Sequence, residues 1–138
     1  MSNTWIKSSG TLRFSNGALR LTLDNDFTDY YRWLLERYYC FRIHAPAHGA
    51  HISVWLPTKH RPLSEDDKKA LVPYLLTNIK FEYNPDVRVG GFSKPYRNFL
   101  IDVRSHTLDR IGYALNIRQP FHITVGNTKG GIRPYIMK

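Results

Sequence analysis

Two tetrapeptides 71 positions apart, His51-Ile52-Ser53-Val54 and His122-Ile123-Thr124-Val125, repeat one pattern in a chain of 138 residues: histidine, apolar, hydroxyl, apolar. Successive side chains of an extended segment point to opposite faces, so His51 and Ser53 share one face while Ile52 and Val54 share the other. The same holds for His122 and Thr124 against Ile123 and Val125. Each segment therefore needs a sheet with one face in the core and the other open enough to keep an imidazole and a hydroxyl solvated or bonded. A strand covered by apolar groups on both sides would strand that polar pair at a desolvation cost.

The rest of the chain supplies such a sheet. Residues 11–14 and 18–23 alternate apolar and polar around Ser15-Asn16-Gly17, a hairpin signal. Spacing then turns helical over 24–38, with Phe27, Tyr30, Tyr31, Leu34, Leu35 and Tyr38 on one apolar face and Asp24 or Asp26 as N-cap. Residues 39–43 read as a strand, 44–50 as a loop and 51–56 as a strand closed by Pro57. Ser64 to Asp67 starts a helix over 68–76 that Pro73 should kink or shorten. Strands follow over 79–83, 87–89 and 97–103, then a helix over 107–117, a strand over 121–125 and a short edge strand over 132–136. Helices and strands mix without the strict alternation of a doubly wound parallel sheet, which predicts a single α+β domain over 1–138 with mostly antiparallel sheet.

Composition narrows the function. Twenty Lys and Arg against eleven Asp and Glu give a net charge of +9, a balance that favours a polyanionic substrate or partner. The single cysteine, Cys40, excludes an internal disulfide and a cysteine-based zinc site, and its apolar neighbours predict a buried, inert thiol. The first ten residues lack an apolar signal core, and no stretch approaches the roughly 20 apolar residues of a membrane span. A cytoplasmic protein is expected, and the sequence implies neither an obligate protein partner nor a cofactor.

The paired His-x-Ser/Thr segments resemble the signature of the 2H phosphoesterase superfamily, which includes the LigT-like RNA phosphodiesterases. The resemblance runs from about Tyr39 to Asn127 and is specific at the two motifs. It departs slightly in carrying Ser53 where threonine is commoner. It implies a bilobal fold with mostly antiparallel sheets around a central cleft and helices packed outside. It also implies a catalytic set of His51, Ser53, His122 and Thr124, with no metal and no cofactor. Such an enzyme cleaves nucleotide phosphodiester bonds: one imidazole accepts a proton from the nucleophile, the other protonates the leaving oxygen, and the hydroxyls donate to the phosphoryl oxygens. The N-terminal hairpin and aromatic helix ahead of the first motif are most like the phage anti-CBASS branch, which degrades cyclic di- and trinucleotide immune signals. The alternatives are a LigT-like enzyme acting on 2′,3′-cyclic phosphates or 2′–5′ linkages at RNA ends, and a non-catalytic RNA- or nucleotide-binding domain.

Other residues carry less. Trp55 falls two positions beyond Ser53, where strict alternation would turn it to the substrate face to stack on a base; the competing role is a cap on the core. His44, His48 and His51 have spacings that superficially suit metal ligands, but Pro46 and Gly49 argue against a helix presenting them together. His60 and His106 are expected at the surface, and the tyrosines of the first helix in the core. Lys59, Arg61, Lys94, Arg97 and Lys129 fall in expected loops, where they would draw in an anion. Gly90-Gly91 and Gly130-Gly131 lack a phosphate-loop context and read as turns.

Overall fold

The computed structural model describes residues 4–91, 94–129 and 131. Their order is β1 (Ile6–Ser15), β2 (Ala18–Thr22), α1 (Asn25–Tyr39), β3 (His51–Trp55), α2 (Glu65–Leu71), β4 (Asn78–Tyr83), β5 (Arg88–Gly90), β6 (Asn98–Arg104), α3 (His106–Ala114) and β7 (Phe121–Asn127). The chain is α+β. The strands run β4-β1-β2-β3-β7-β6-β5, and β6 also meets β4, which closes six of them into an antiparallel barrel with β5 alongside β6. Pairing is extensive along β1–β2, β1–β4 and β6–β7. It is sparse at two seams: β3 meets β7 through Ile52↔Ile123, and β4 meets β6 through Glu82↔Arg104 and Tyr83↔Val103.

One face of this sheet is an apolar belt. Leu12 pairs with Leu21, Leu21 with Ile52, Ile52 with Ile123 and Ile123 with Ile101, and all five side chains are fully buried. Burying each contributes about 1.5–3 kcal/mol relative to exposure, which fixes the register of both motif strands, because a one-residue slip would turn the belt outward. Leu71 of α2 and Leu108, Ile111 and Leu115 from α3 and its C-cap join the same cluster.

Local chemistry explains where the elements begin and end. Asn16 and Gly17 both lie at positive φ, as the tight β1–β2 turn requires. Asp24 caps α1 by accepting from the Asp26 N–H at 2.9 Å. Ser64 and Asp67 form a capping box on α2, which stops at Leu71, ahead of Pro73 and short of the expected residue 76. α3 ends at Ala114 rather than at 117, because Asn116 enters the left-handed region and the Ile117 N–H closes back on the Gly112 carbonyl at 2.7 Å, a Schellman ending that buries Ile117.

Several expectations are corrected. Residues 39–43 do not make a strand: α1 runs through Tyr39, and the segment after it pairs through an isolated bridge between His44 and Asn127. Cys40 is exposed rather than buried, because it caps α1 with left-handed backbone outside the core. The aromatic face of α1 divides. Phe27, Tyr31 and Leu35 pack on the core, with Phe27 and Tyr31 against Tyr83, whereas Tyr30 and Tyr38 are exposed. The edge strand expected over 132–136 lies outside the described residues. No helix among the described residues is long and apolar enough to cross a membrane.

Candidate active site

The pairing of Ile52 with Ile123 sets the geometry of the site. Stepping one residue along each antiparallel strand puts His51 across from Thr124 and Ser53 across from His122. All four side chains are half-buried on the face opposite the apolar belt. The two histidines are diagonal neighbours, a relation that spans about 7–8 Å in a regular pair. A local two-fold between Ile52 and Ile123 thus relates one motif to the other, each histidine facing the other motif's hydroxyl residue.

Both motif strands also bulge at the same place. Against β2, Arg20 pairs with Ser53 and Leu19 with Trp55, which leaves Val54 as the extra residue. Against β6, Leu100 pairs with Thr124 and Phe99 with Gly126, which leaves Val125. The fourth residue of each motif is the bulge, and beyond it the alternation slips by one. This slip turns Trp55 away from the face of His51 and Ser53 and favours the competing role of a core cap. The indole aligns with buried Leu19 instead of following His51 and Ser53, is 9% exposed, and donates its N–H to the Arg61 carbonyl at 2.8 Å. It caps the core.

His51 is held from behind. Its Nδ1 lies 2.9 Å from the Gly49 carbonyl oxygen. A carbonyl only accepts, so Nδ1 carries the hydrogen and the neutral ring keeps its lone pair on Nε2. Gly49 can present that carbonyl because its φ is +73°, and a Cβ there would come within 2.9 Å of Asn25 Oδ1, which accepts the Ala50 N–H at 2.9 Å. Burial pushes the His51 imidazole below its usual pKa; the Gly49 carbonyl opposes this, and the charges of Arg20 and His48 add to it. Arg20 is itself buried directly opposite Ser53; its NH1 donates to the Ser15 carbonyl, and its Nε has no hydrogen-bond partner among the described residues.

His122 stands in a different field. Asp102 is its direct neighbour on β6, and Arg88 donates to that carboxylate at 2.7 Å. Burial lowers the His122 pKa most; Arg88, Lys59 and His51 lower it further, while Asp102 raises it. Each histidine is therefore biased toward the neutral form, and the charge of one is felt at the other.

A cavity of about 390 Å³ opens beside this patch, walled by Ser53, Lys59, His60, Arg88, Gln119 and His122 among others. It falls in the size range of small-ligand sites. His51 and Thr124 lie outside its wall. His60, expected at the surface, is half-buried: its Nδ1 accepts the Leu56 N–H at 2.9 Å, and its Nε2 lies 3.1 Å from Gln119 Oε1. It ties the loop after β3 to the segment before β7. Of the expected loop cations, Lys59 reaches the cavity. Arg61 is paired with Asp67, Arg97 donates to the Lys94 carbonyl, and Lys94 and Lys129 lie over the Tyr96 ring.

Sequence reading missed Arg88, Asp102, Gln119, Gly49 and Arg20. The periodicity of β5 and β6 gave those strands but not the partners that face His122. Among the described residues, no group of three or more His, Cys, Asp and Glu side chains is placed to hold a metal ion. The His48 ring sits 6.3 Å from that of His51, with the Asn16 amide 3.2 Å from its Nδ1. No family model, curated protein or solved structure matches the chain.

Proposed function

We propose that the chain is a metal-independent phosphodiesterase of the 2H type. It hydrolyses 3′–5′ phosphodiester bonds in nucleotides, and its substrates are cyclic di- and trinucleotide signals of the kind the phage anti-CBASS enzymes degrade. The observation that carries this reading is the diagonal array of His51, Ser53, His122 and Thr124 around Ile52↔Ile123, repeated down to the bulge that follows each motif. Two imidazoles and two hydroxyls on one open face are what an in-line phosphoryl displacement needs: a base on one side of phosphorus, an acid on the other, and donors for the oxygens between. The two sparse seams favour a bilobal description. The lobe β4-β1-β2-β3 carries the first motif, the lobe β7-β6-β5 the second, and the substrate phosphate lies between them.

The surroundings divide the roles. His51, with its proton pinned on Nδ1 by Gly49, offers the Nε2 lone pair and is the general base that takes a proton from water. Water oxygen bonds to phosphorus, the bond from phosphorus to the ester oxygen breaks, and His122 as imidazolium protonates that oxygen. An incoming phosphate offsets the Arg88 and Lys59 charges, which add to burial in lowering the His122 pKa, so substrate binding itself favours the protonated acid. Ser53 and Thr124 donate to the non-bridging oxygens. These proton transfers pass between the two imidazoles and the substrate without a metal-bound hydroxide.

The test is incubation with cyclic dinucleotides, cyclic trinucleotides and 2′,3′-cyclic nucleotides in the presence of EDTA. Hydrolysis of the cyclic oligonucleotides, lost in His51→Ala and His122→Ala, is the expected result. Turnover confined to 2′,3′-cyclic nucleotides would move the chain to the LigT-like branch, and binding without turnover would make it a nucleotide-binding domain.

A further inference from the structure

A second cavity, of about 450 Å³, adjoins the catalytic one and shares part of its wall: Ile117, Gln119 and Phe121 line both. The rest comes from the end of α3 and the turn after it. Tyr113 is 87% exposed with its ring open to solvent, and Asp109, Asn116 and Arg118 bring a carboxylate, an amide and a guanidinium to the rim. No ion pair, hydrogen bond or ring contact engages the Tyr113 or Arg118 side chain among the described residues. The Schellman ending of α3 fixes this rim, since left-handed Asn116 turns the chain so that Ile117 is buried while Asn116 and Arg118 on either side stay exposed.

We propose that this second cavity is a nucleoside subsite, which holds the nucleotide next to the scissile phosphate when that phosphate lies between His51 and His122. The inference rests on the phosphodiesterase reading and extends it to the length of substrate the groove accepts. The chemistry of the wall suits a nucleoside. A phenol ring gives a stacking platform for any base, and Asn116 and Asp109 pair with donor and acceptor groups on a base edge. Arg118 meets a backbone phosphate. Gln119 stands between the two cavities, held by His60, where the linkage would cross. A substrate with two nucleosides fills both cavities, whereas a mononucleotide fills one.

The experiment compares wild type, Tyr113→Ala and Arg118→Ala on a 3′–5′ cyclic dinucleotide and on a mononucleoside 2′,3′-cyclic phosphate. Both side chains are exposed, so neither change removes core packing. KM for the dinucleotide should rise about 5- to 100-fold in Tyr113→Ala, the loss expected for one stacked base. It should also rise in Arg118→Ala, with the mononucleotide unaffected by either change. Wild type that turns over the dinucleotide alone supports the subsite further. Equal losses on both substrates, or no change on the dinucleotide, would overturn it. If neither substrate is hydrolysed, binding of the linear dinucleoside monophosphate decides the matter. Binding that weakens in Tyr113→Ala keeps the subsite and removes the phosphodiesterase, and no difference between the proteins removes the subsite.

Discussion

The two motif strands share a backbone and differ in what surrounds it. In β3 and β7 alike the order is histidine, buried isoleucine, hydroxyl, then a buried valine at a bulge. The neighbouring strands break the likeness. The residue opposite His51 on β2 is Thr22, and the one opposite His122 on β6 is Asp102; opposite Ser53 stands Arg20, and opposite Thr124 stands Leu100. His51 is fixed by a carbonyl behind it, while among the described residues no hydrogen bond reaches the His122 ring, which instead sits between the charges of Asp102, Arg88 and Lys59. A repeated backbone thus places two like groups, and on the proposed reading their unlike neighbours give them unlike tasks. Acid–base pairs are separated in this way elsewhere, by environment rather than by residue type.

The largest expected effect treats the strands as equals. His51→Ala and His122→Ala should each lower kcat/KM by about 10²–10⁴-fold, the usual worth of a positioned acid or base, with substrate affinity much less affected. Steady-state kinetics beside direct binding would check this. Unequal effects, one histidine being dispensable, would break the comparison at its root.

Next come changes that act on one side only. Gly49→Ala puts a Cβ at positive φ against Asn25 Oδ1, which costs about 1–3 kcal/mol of strain and displaces the carbonyl that orients His51. Thermal melts should report the loss, and the acid limb of the pH–rate profile should move while the alkaline limb stays. Asp102→Asn should do the reverse. It removes the charge that raises the His122 pKa and leaves Arg88 unopposed, so the alkaline limb should shift to lower pH. If Asp102→Asn moved the acid limb instead, the assigned roles would be exchanged.

A smaller effect follows from linkage. Both imidazoles have pKa values below the unfolded value of 6.5, so the folded chain binds fewer protons than the unfolded chain at mildly acidic pH. Stability from these groups is complete above pH 6.5 and falls as the pH drops below it. Melting temperature should decline as the pH falls below about 6.5, and less steeply in His122→Gln. Ser53→Ala and Thr124→Ala should each cost activity less than the histidine changes, because either hydroxyl partly covers for the other.

Much of this was legible in the sequence because it rests on period-two alternation. The belt of Leu12, Leu21, Ile52, Ile123 and Ile101 and the polar face behind it follow from side chains that alternate. For Trp55 the residues left two roles open, since a bulge at Val54 changes the phase after Ser53 and nothing local in the residues marks it. Cys40 and its neighbours looked like a strand because Tyr39 and Phe41 favour strands, yet α1 continues through Tyr39 and ends on a left-handed cap. Arg88 and Asp102 reach His122 from separate strands, so only the register between strands brings them together. His60 was misread as exposed for the same reason, its partner Gln119 lying 59 positions away.

The most direct measurement of the central claim is hydrolysis of a 3′–5′ cyclic dinucleotide in EDTA by the wild type and by the His51→Ala/His122→Ala double variant. Wild-type turnover that survives the chelator and disappears in the double variant, with the dinucleotide still bound, is the predicted result. Equal turnover in the two proteins, or activity that EDTA abolishes and zinc or manganese restores, would contradict it.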